Sequence, residues 1–149
     1  MNSLPNWQQL PDLELYLDQV LLYVNQQTNP FLADREKLLT SSMVNNYVKH
    51  GYIPKPNRKK YNRTHLAHLI ILSICKPIFP IAAIQEIIEA LEEKHEVAIL
   101  YNAFVNCFAG VELAEQPLIL QKACQTIQSY HETLALIPEL KGEIHEPKF

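Results

Sequence analysis

The stretch NNYVKHGYIPKPNRKKY, residues 45–61, decides how the rest of this sequence is interpreted. It contains five lysines and arginines and no carboxylate, although the 149-residue chain has a formal net charge of -3. The acid-free region extends from Lys37 to Gln85 and holds eight Lys or Arg residues in all. Such a block between acidic flanks favours contact with phosphate, either in nucleic acid or at an anionic membrane surface. A solvated basic face without a ligand is the simpler alternative.

Local signals around this block predict a short helix, an extended ribbon and then a buried helix. Residues 40–42, Thr-Ser-Ser, are three candidate N-caps, and Gly51 is suited to end the helix that they begin. Pro54 and Pro56 forbid a continued helix and favour extended backbone, so a small β-ribbon or a loop should follow. Thr64 is a candidate cap for the next helix, which is apolar nearly all round and is therefore expected at the centre of the core.

The regions on both sides of the block are also expected to be helical, which makes the fold class all-α. Asp12 is a candidate cap for a first amphipathic helix, and residues 26–36 are interpreted as a connector. Residues 97–113 and 116–137 carry apolar residues at helical spacing. Residues 138–149 are expected to fray.

Composition and motifs exclude several classes of function. Hydrophobic residues make up 48% of the chain and glycines number three, which indicates a packed, mainly helical protein. No apolar run reaches the roughly 18–20 residues that span a membrane, so no membrane contact is expected. No catalytic triad spacing, GxGxxG, P-loop or zinc motif is found, so no enzyme activity, cofactor or metal is predicted.

The cysteine pattern and the N-terminal sequence predict a cytoplasmic protein. Three cysteines, odd in number and widely spaced, are not typical of a disulfide framework and fit a reducing compartment. Cys107 and Cys124 are expected to be buried small apolar residues rather than redox sensors. The N-terminal sequence shows no basic region followed by an apolar run, so no secretory signal is expected.

The order of elements in the basic block is that of a helix-turn-helix with a basic wing. An α-helix fits the major groove, where Asn45 and Asn46 would reach base edges and Lys49 a base or a phosphate. The cations of the wing would hold phosphates, and Tyr61 is expected mainly to pack, with its hydroxyl open to phosphate. The expected DNA-binding residues are Ser42, Asn45, Asn46, Lys49, Lys55, Arg58, Lys59, Lys60, Tyr61 and Arg63.

Residues 42–72, SMVNNYVKHGYIPKPNRKKYNRTHLAHLIIL, resemble the DNA-binding segment of MerR-type regulators. That family has a recognition helix ending in an aromatic residue, then Gly-Leu-Ile-Pro, then a basic wing with a tyrosine, then a helix. The matching positions are Tyr47, Gly51, Ile53, Pro54, Pro56, Arg58 and Tyr61. The segment departs from MerR proteins at Asn45, where arginine is usual, in a shorter wing, and in the lack of sustained heptads for a C-terminal coiled coil.

The chain is more similar still to a bacterial family known as domain of unknown function 1836. The residues that carry this similarity are LPNW at 4–7, ELYLDQV at 14–20 and LLTSSMVNNYVKHGYIPKPNRKKY at 38–61. The resemblance implies the fold of a DNA-binding protein more than it implies an activity.

The expected architecture is an all-α helical bundle that contains a MerR-like winged helix-turn-helix with a short β-ribbon wing. We divide it into an N-terminal clip and helix at 1–37, the DNA-binding unit at 38–93, and a C-terminal helical pair at 94–149 for dimerisation or an effector. The expected function is sequence-specific regulation of transcription on double-stranded DNA, as a homodimer formed through the C-terminal helices.

Two alternatives from other classes stay open. The fold can serve as a protein–protein adaptor that presents its basic face to an acidic partner without DNA. RNA binding is a third hypothesis, disfavoured because it usually needs several exposed aromatic rings for stacking.

Overall fold

A computed structural model describes residues 3–32, 37–111 and 115–142, which are mainly helical, as predicted. The helices are α1 (Leu17–Thr28), α2 (Ser41–Lys49), α3 (Arg63–Cys75), α4 (Ile81–Glu92), α5 (Val97–Asn106), α6 (Leu118–Ala135) and α7 (Ile137–Gly142). Two short 3-10 turns lie at Trp7–Gln9 and Asn29–Phe31. Two strands, β1 (Leu15–Tyr16) and β2 (Lys60–Tyr61), form the sheet of the described residues.

The small sheet joins the N-terminal segment to the end of the basic block. β1 and β2 pair antiparallel, with Leu15 opposite Tyr61 and Tyr16 opposite Lys60. A small ribbon or a loop is predicted within the proline-rich stretch, and Asn57 and Lys60 do form an antiparallel bridge there. The strand β2 that follows also pairs with residues more than 40 positions earlier, which was not predicted. Local signals could not predict this partner, because a two-residue strand such as β1 has no period of its own.

The start of α1 predicted at Asp12 is wrong. Leu15 and Tyr16 are held extended in β1, so the helix begins at Leu17, where the Gln19 side chain accepts a hydrogen bond of 2.9 Å from the Tyr16 N–H. The predicted connector from residue 26 is also partly wrong, because α1 continues to Thr28.

The predicted ends of α2 are confirmed. The Thr40 hydroxyl accepts a hydrogen bond of 3.2 Å from the Met43 N–H, which caps the N-terminus. At the other end Gly51 has φ +75°, and the Tyr52 N–H donates to the Tyr47 carbonyl at 2.8 Å. This is a Schellman motif, in which the left-handed position favours glycine. The two caps fix α2 as a rigid nine-residue helix.

Helix α3 is the centre of the core, as predicted. Ten of its 13 residues are buried. Its cap is Asn62 rather than Thr64, since the Asn62 side chain accepts a hydrogen bond of 3.3 Å from the His65 N–H. The helix therefore begins earlier than the sequence predicted and immediately follows β2.

Residues from all three predicted segments share one hydrophobic cluster. Leu4, Val20, Leu69 and Ile127 belong to it and are at most 2% exposed. The N-terminal clip lies on α5, where the Tyr101 hydroxyl donates a hydrogen bond of 2.7 Å to the Pro5 carbonyl. The basic block is therefore supported from both ends of the chain.

The C-terminal region differs from prediction in its helix limits. Helix α5 ends at Asn106 rather than near residue 113, and Gly110 has φ +73°. Part of the segment expected to fray forms α7, while residues 112–114 and 143–149 lie outside the described residues.

Cys107 and Cys124 are both buried, as predicted, but they are joined as a disulfide between α5 and α6. Their Cα atoms are 5.6 Å apart, a separation typical of bonded cysteines. The expectation of unpaired cysteines is wrong for these two, because sequence spacing does not report spatial proximity.

Candidate nucleic-acid interface

Helix α2 has a buried face and an open face. Val44 and Tyr47 are buried in the core, whereas Asn45, Asn46 and Lys49 are exposed. Residues three and four positions apart lie on the same side of a helix, so these two amides and the ammonium group form one patch. Amide and ammonium groups on an exposed helix are suited to base edges and phosphates in the major groove.

The ends of α2 add further polar groups. Ser42 is exposed about one turn before Asn45. Lys76, which sequence reasoning missed, lies half-buried at the end of α3, with its Nζ 3.7 Å from the Met43 Sδ. Its position in the acid-free region from Lys37 to Gln85 was the sequence feature that could have identified it. The contact brings another cation beside α2.

Arg58 and Lys59 form the two-residue tip of a hairpin turn. The Asn57 N–H donates to the Lys60 carbonyl at 3.0 Å, and the Lys60 N–H donates back at 2.9 Å. The φ angles of Arg58 and Lys59 are +51° and +65°, the values of a type I′ turn. Such turns favour Asn, Asp and Gly, so two long cationic side chains at this tip are unusual.

The two tip side chains have no partner that would account for their position. Both are exposed, and within the described ranges neither Arg58 nor Lys59 makes a hydrogen bond or an ion pair. Lys55, in the segment that precedes the hairpin turn, is exposed as well. The cations of this hairpin therefore point their charge toward solvent.

Lys60 and Tyr61, also expected to bind DNA, have packing contacts. The Lys60 Nζ lies 5.7 Å from the centre of the Tyr16 ring, a cation–π contact across the β1–β2 pair. Tyr61 is 4% exposed, its ring meets the His65 ring edge-on at 5.2 Å, and burial raises its pKa. Both side chains hold the hairpin to the body of the protein.

Arg63 fastens the N-terminal segment. Its Nε donates to the Leu10 carbonyl at 3.3 Å, its guanidinium lies 3.6 Å from an Asp12 carboxylate oxygen, and it lies 5.9 Å from the centre of the Trp7 ring. Arg63 is thus engaged within the fold, unlike the cations at the hairpin tip.

His65 links the segment that contains Pro54 and Pro56 to α3. Its Nε2 lies 3.1 Å from the Pro54 carbonyl, and its Nδ1 accepts a hydrogen bond of 3.0 Å from the Asn62 N–H. A neutral imidazole with its proton on Nε2 satisfies both contacts, and Nδ1 also lies 3.0 Å from the Asn62 Oδ1. Burial lowers the pKa of His65, against the opposing effect of backbone hydrogen bonds at Pro54 and Lys55. The neutral ring therefore sets the base of the hairpin.

Exposed cations of the interface lack carboxylate partners. In the described part of the chain the ion pairs join Arg63 to Asp12 and His68 to Glu92. At one edge, however, the Gln85 side chain donates to the Gly51 carbonyl at 3.2 Å and to a Glu89 oxygen at 2.9 Å. The acidic helix α4 therefore borders the end of α2.

Of the predicted site residues, seven are exposed and three are engaged in packing. We name the exposed set the basic surface, and it consists of Ser42, Asn45, Asn46, Lys49, Lys55, Arg58 and Lys59. Among residues 3–32, 37–111 and 115–142, no group of three or more His, Cys, Asp or Glu residues is arranged to hold a metal ion. The same ranges contain no helix with the length and apolar character needed to cross a bilayer.

Comparison with protein families matches residues 5–104 to the family described as "Domain of unknown function (DUF1836)". The matched range includes the whole basic surface and ends within α5. Searches of curated proteins and of solved structures found no significant match. The family description names no activity, so the function must be argued from the geometry.

Proposed function

The chain belongs to the family described as domain of unknown function DUF1836, and we propose that it is a sequence-specific, double-stranded DNA-binding regulator of transcription. The basic surface is the proposed contact. The single observation that carries the proposal is the hairpin tip, where Arg58 and Lys59 both adopt left-handed backbone conformations while their side chains remain exposed.

The tip supports binding because the fold alone gives no reason for cations there. A left-handed conformation costs roughly 1–2 kcal/mol for each non-glycine residue. Asn-Gly at Arg58 and Lys59 would satisfy the same turn with less strain. Strain of this kind persists where a side chain is needed for function, and two adjacent cations on a rigid tip are suited to the phosphates of a duplex.

The two parts of the basic surface would have different roles. Asn45 and Asn46 would enter the major groove and contact base edges, as asparagine does with adenine. Lys55, Arg58 and Lys59 would hold the phosphate backbone beside the groove and fix the register of α2. In this proposal α2 is the recognition helix and the hairpin is the wing of a MerR-like arrangement.

The proposal includes a cytoplasmic homodimer without enzymatic activity. Dimers bind two half-sites and gain the affinity that one short helix lacks. The C-terminal helices α6 and α7 offer large apolar side chains that are 47–67% exposed, and these are Leu118, Ile119, Leu136 and Leu140. Covering them in a second copy of the chain would remove apolar surface from water.

A salt titration tests the proposal. Fluorescence anisotropy would measure binding of the full chain to a labelled random-sequence duplex at about 50 and 200 mM salt. If Lys49, Lys55, Arg58 and Lys59 of one protomer each neutralise one phosphate, the log–log slope is roughly -3.6 for each bound protomer, and affinity per protomer falls roughly 100-fold over this range. Lys49→Ala and Arg58→Ala should each reduce the magnitude of the slope by about 0.9 per bound protomer.

The exposed Lys94, which follows α4, provides the control. Lys94→Ala removes one positive charge outside both the basic surface and the proposed dimer interface and should leave the slope unchanged. Equal effects of all three substitutions would show that net charge rather than this surface drives binding. If the protein does not bind duplex at about 50 mM salt, DNA binding is wrong, and the basic surface would belong to an adaptor for an acidic protein.

A further inference from the structure

The disulfide pair joins the end of α5 to the middle of α6. Cys107 is the C-cap residue directly after α5, and Cys124 lies seven residues after Pro117, the N-cap of α6. Both are 2% exposed. Their loop spans 17 positions, and both cysteines lie beyond residue 104, where the family match ends. The pair therefore secures a helix that is additional to the matched region.

Apolar packing and one hydrogen bond hold the first part of α6 beside the disulfide. Leu120 packs with the cysteines and Ala103 in a small separate cluster, and Ile127 reaches the main core. The Gln128 side chain donates a hydrogen bond of 2.7 Å to the Cys107 carbonyl. After residue 128 the helix is exposed or half-buried. The covalent bond therefore adds to the packing that positions α6.

An apolar cavity of about 70 Å³ lies beneath this helix. Side chains from α3, α4 and α5 line it, among them Ile71, Ile88 and Phe104, and α6 contributes Leu120 and Ala123 to its wall. Movement of α6 would therefore expose the apolar surface at the junction of these helices.

We propose that Cys107 and Cys124 form a reversible thiol–disulfide latch that holds α6 over this cavity. In the opening step an external dithiol gives two electrons and two protons to the sulfur–sulfur bond. The protein then carries two thiols, and the dithiol has become a disulfide. In the closing step glutathione disulfide accepts the two electrons, the protein bond forms, and two molecules of glutathione leave.

Cys75 does not take part in this exchange. It is 6% exposed, it lines the same cavity from α3, and burial raises its pKa to about 12. It is the free cysteine of the described residues, whereas Cys107 and Cys124 are joined to each other. Cys75 is therefore an internal reference for the latch.

Hydrogen exchange of the full-length protein tests the latch without any DNA. Breaking a disulfide that closes a loop of this length changes the equilibrium constant for unfolding of the loop roughly 100-fold. Reduction should therefore speed amide exchange in the second half of α6 roughly 100-fold. Amides of α3 should change little, and an apolar dye should gain fluorescence as the cavity opens. Thiol titration of denatured protein should give one thiol after treatment with glutathione disulfide and three after reduction.

Matched variants separate the latch from general destabilisation. Cys75→Ala should keep the response to reductant, and Cys107→Ala with Cys124→Ala should exchange rapidly under both conditions. Three thiols after treatment with glutathione disulfide would overturn the proposal. It would also be overturned if the amide exchange rates of α6 in the reduced and oxidised wild-type protein differed by no more than about twofold. Neither result would bear on DNA binding.

Discussion

Replacing the hairpin tip by Arg58→Asn with Lys59→Gly should stabilise the protein and weaken DNA binding at the same time. Arg58 and Lys59 have φ angles of +51° and +65° and make no hydrogen bond or ion pair within the described ranges. Asn-Gly is the preferred pair in this turn type, so the change keeps the backbone and removes two cations.

The structure gives the size of the stability effect. Two non-glycine residues in left-handed conformations cost roughly 2–4 kcal/mol together. Asparagine still pays part of this cost, and glycine at position 59 adds about 0.5–1 kcal/mol of conformational entropy to be lost on folding. The net gain should be about 1–2 kcal/mol in the free energy of unfolding, which raises Tm by roughly 3–6 °C in a chain of this size.

Thermal unfolding and duplex binding would be measured on the same preparation. Loss of two phosphate contacts should reduce the magnitude of the log–log salt slope by roughly 1.8. Lys94→Ala removes an exposed cation outside the basic surface and should alter neither quantity much. A tip variant with unchanged or reduced Tm would refute the strain argument, and an unchanged slope would refute the assignment of the tip to DNA.

Three further predictions follow from individual residues. Asn46→Ala should widen the range of sequences enriched from a random duplex library, because a base contact worth about 1–3 kcal/mol is lost. A changed salt slope with unchanged sequence enrichment would instead assign Asn46 to phosphate. Because burial lowers the folded-state pKa of His65, its contribution to stability is full above about pH 6.5 and declines as pH falls below that value. Urea unfolding at about pH 7.5 and 5.5 should show this decline, His65→Leu should reduce it, and an equal decline in both proteins would place its origin elsewhere. Gly51→Ala should lower the free energy of unfolding by about 1 kcal/mol because φ is +75° there. Gly142→Ala, at a residue whose φ is not left-handed, should have little effect. Equal costs of the two substitutions would contradict the Schellman assignment.

The sequence predicted those parts of the fold that local chemistry determines. The Thr40 cap and the Gly51 stop of α2 follow from side-chain and backbone preferences that need no distant partner. The burial of α3 follows from its apolar residues on every side. The exposure of Asn45, Asn46 and Lys49 follows from helical spacing relative to Val44 and Tyr47.

Features that depend on contacts distant in sequence were missed. The pairing of β1 with β2 displaced the start of α1, and two residues of strand carry no periodic signal. Arg63 was assigned to phosphate because of its charge, but its neighbours Leu10 and Asp12 are about 50 residues away. The Cys107–Cys124 bond depends on how α6 lies against α5, which spacing alone does not determine.

Selection from a random double-stranded DNA library, at about 50 and 200 mM salt with sequencing of the bound fraction, would show whether this protein recognises a DNA sequence. We expect an enriched sequence, binding that weakens roughly 100-fold per protomer at the higher salt, and loss of that enrichment in Asn46→Ala. Two related half-sites about one helical turn apart would also reveal the dimer. The absence of bound DNA at the lower salt would rule out DNA binding and would leave the basic surface to a protein partner.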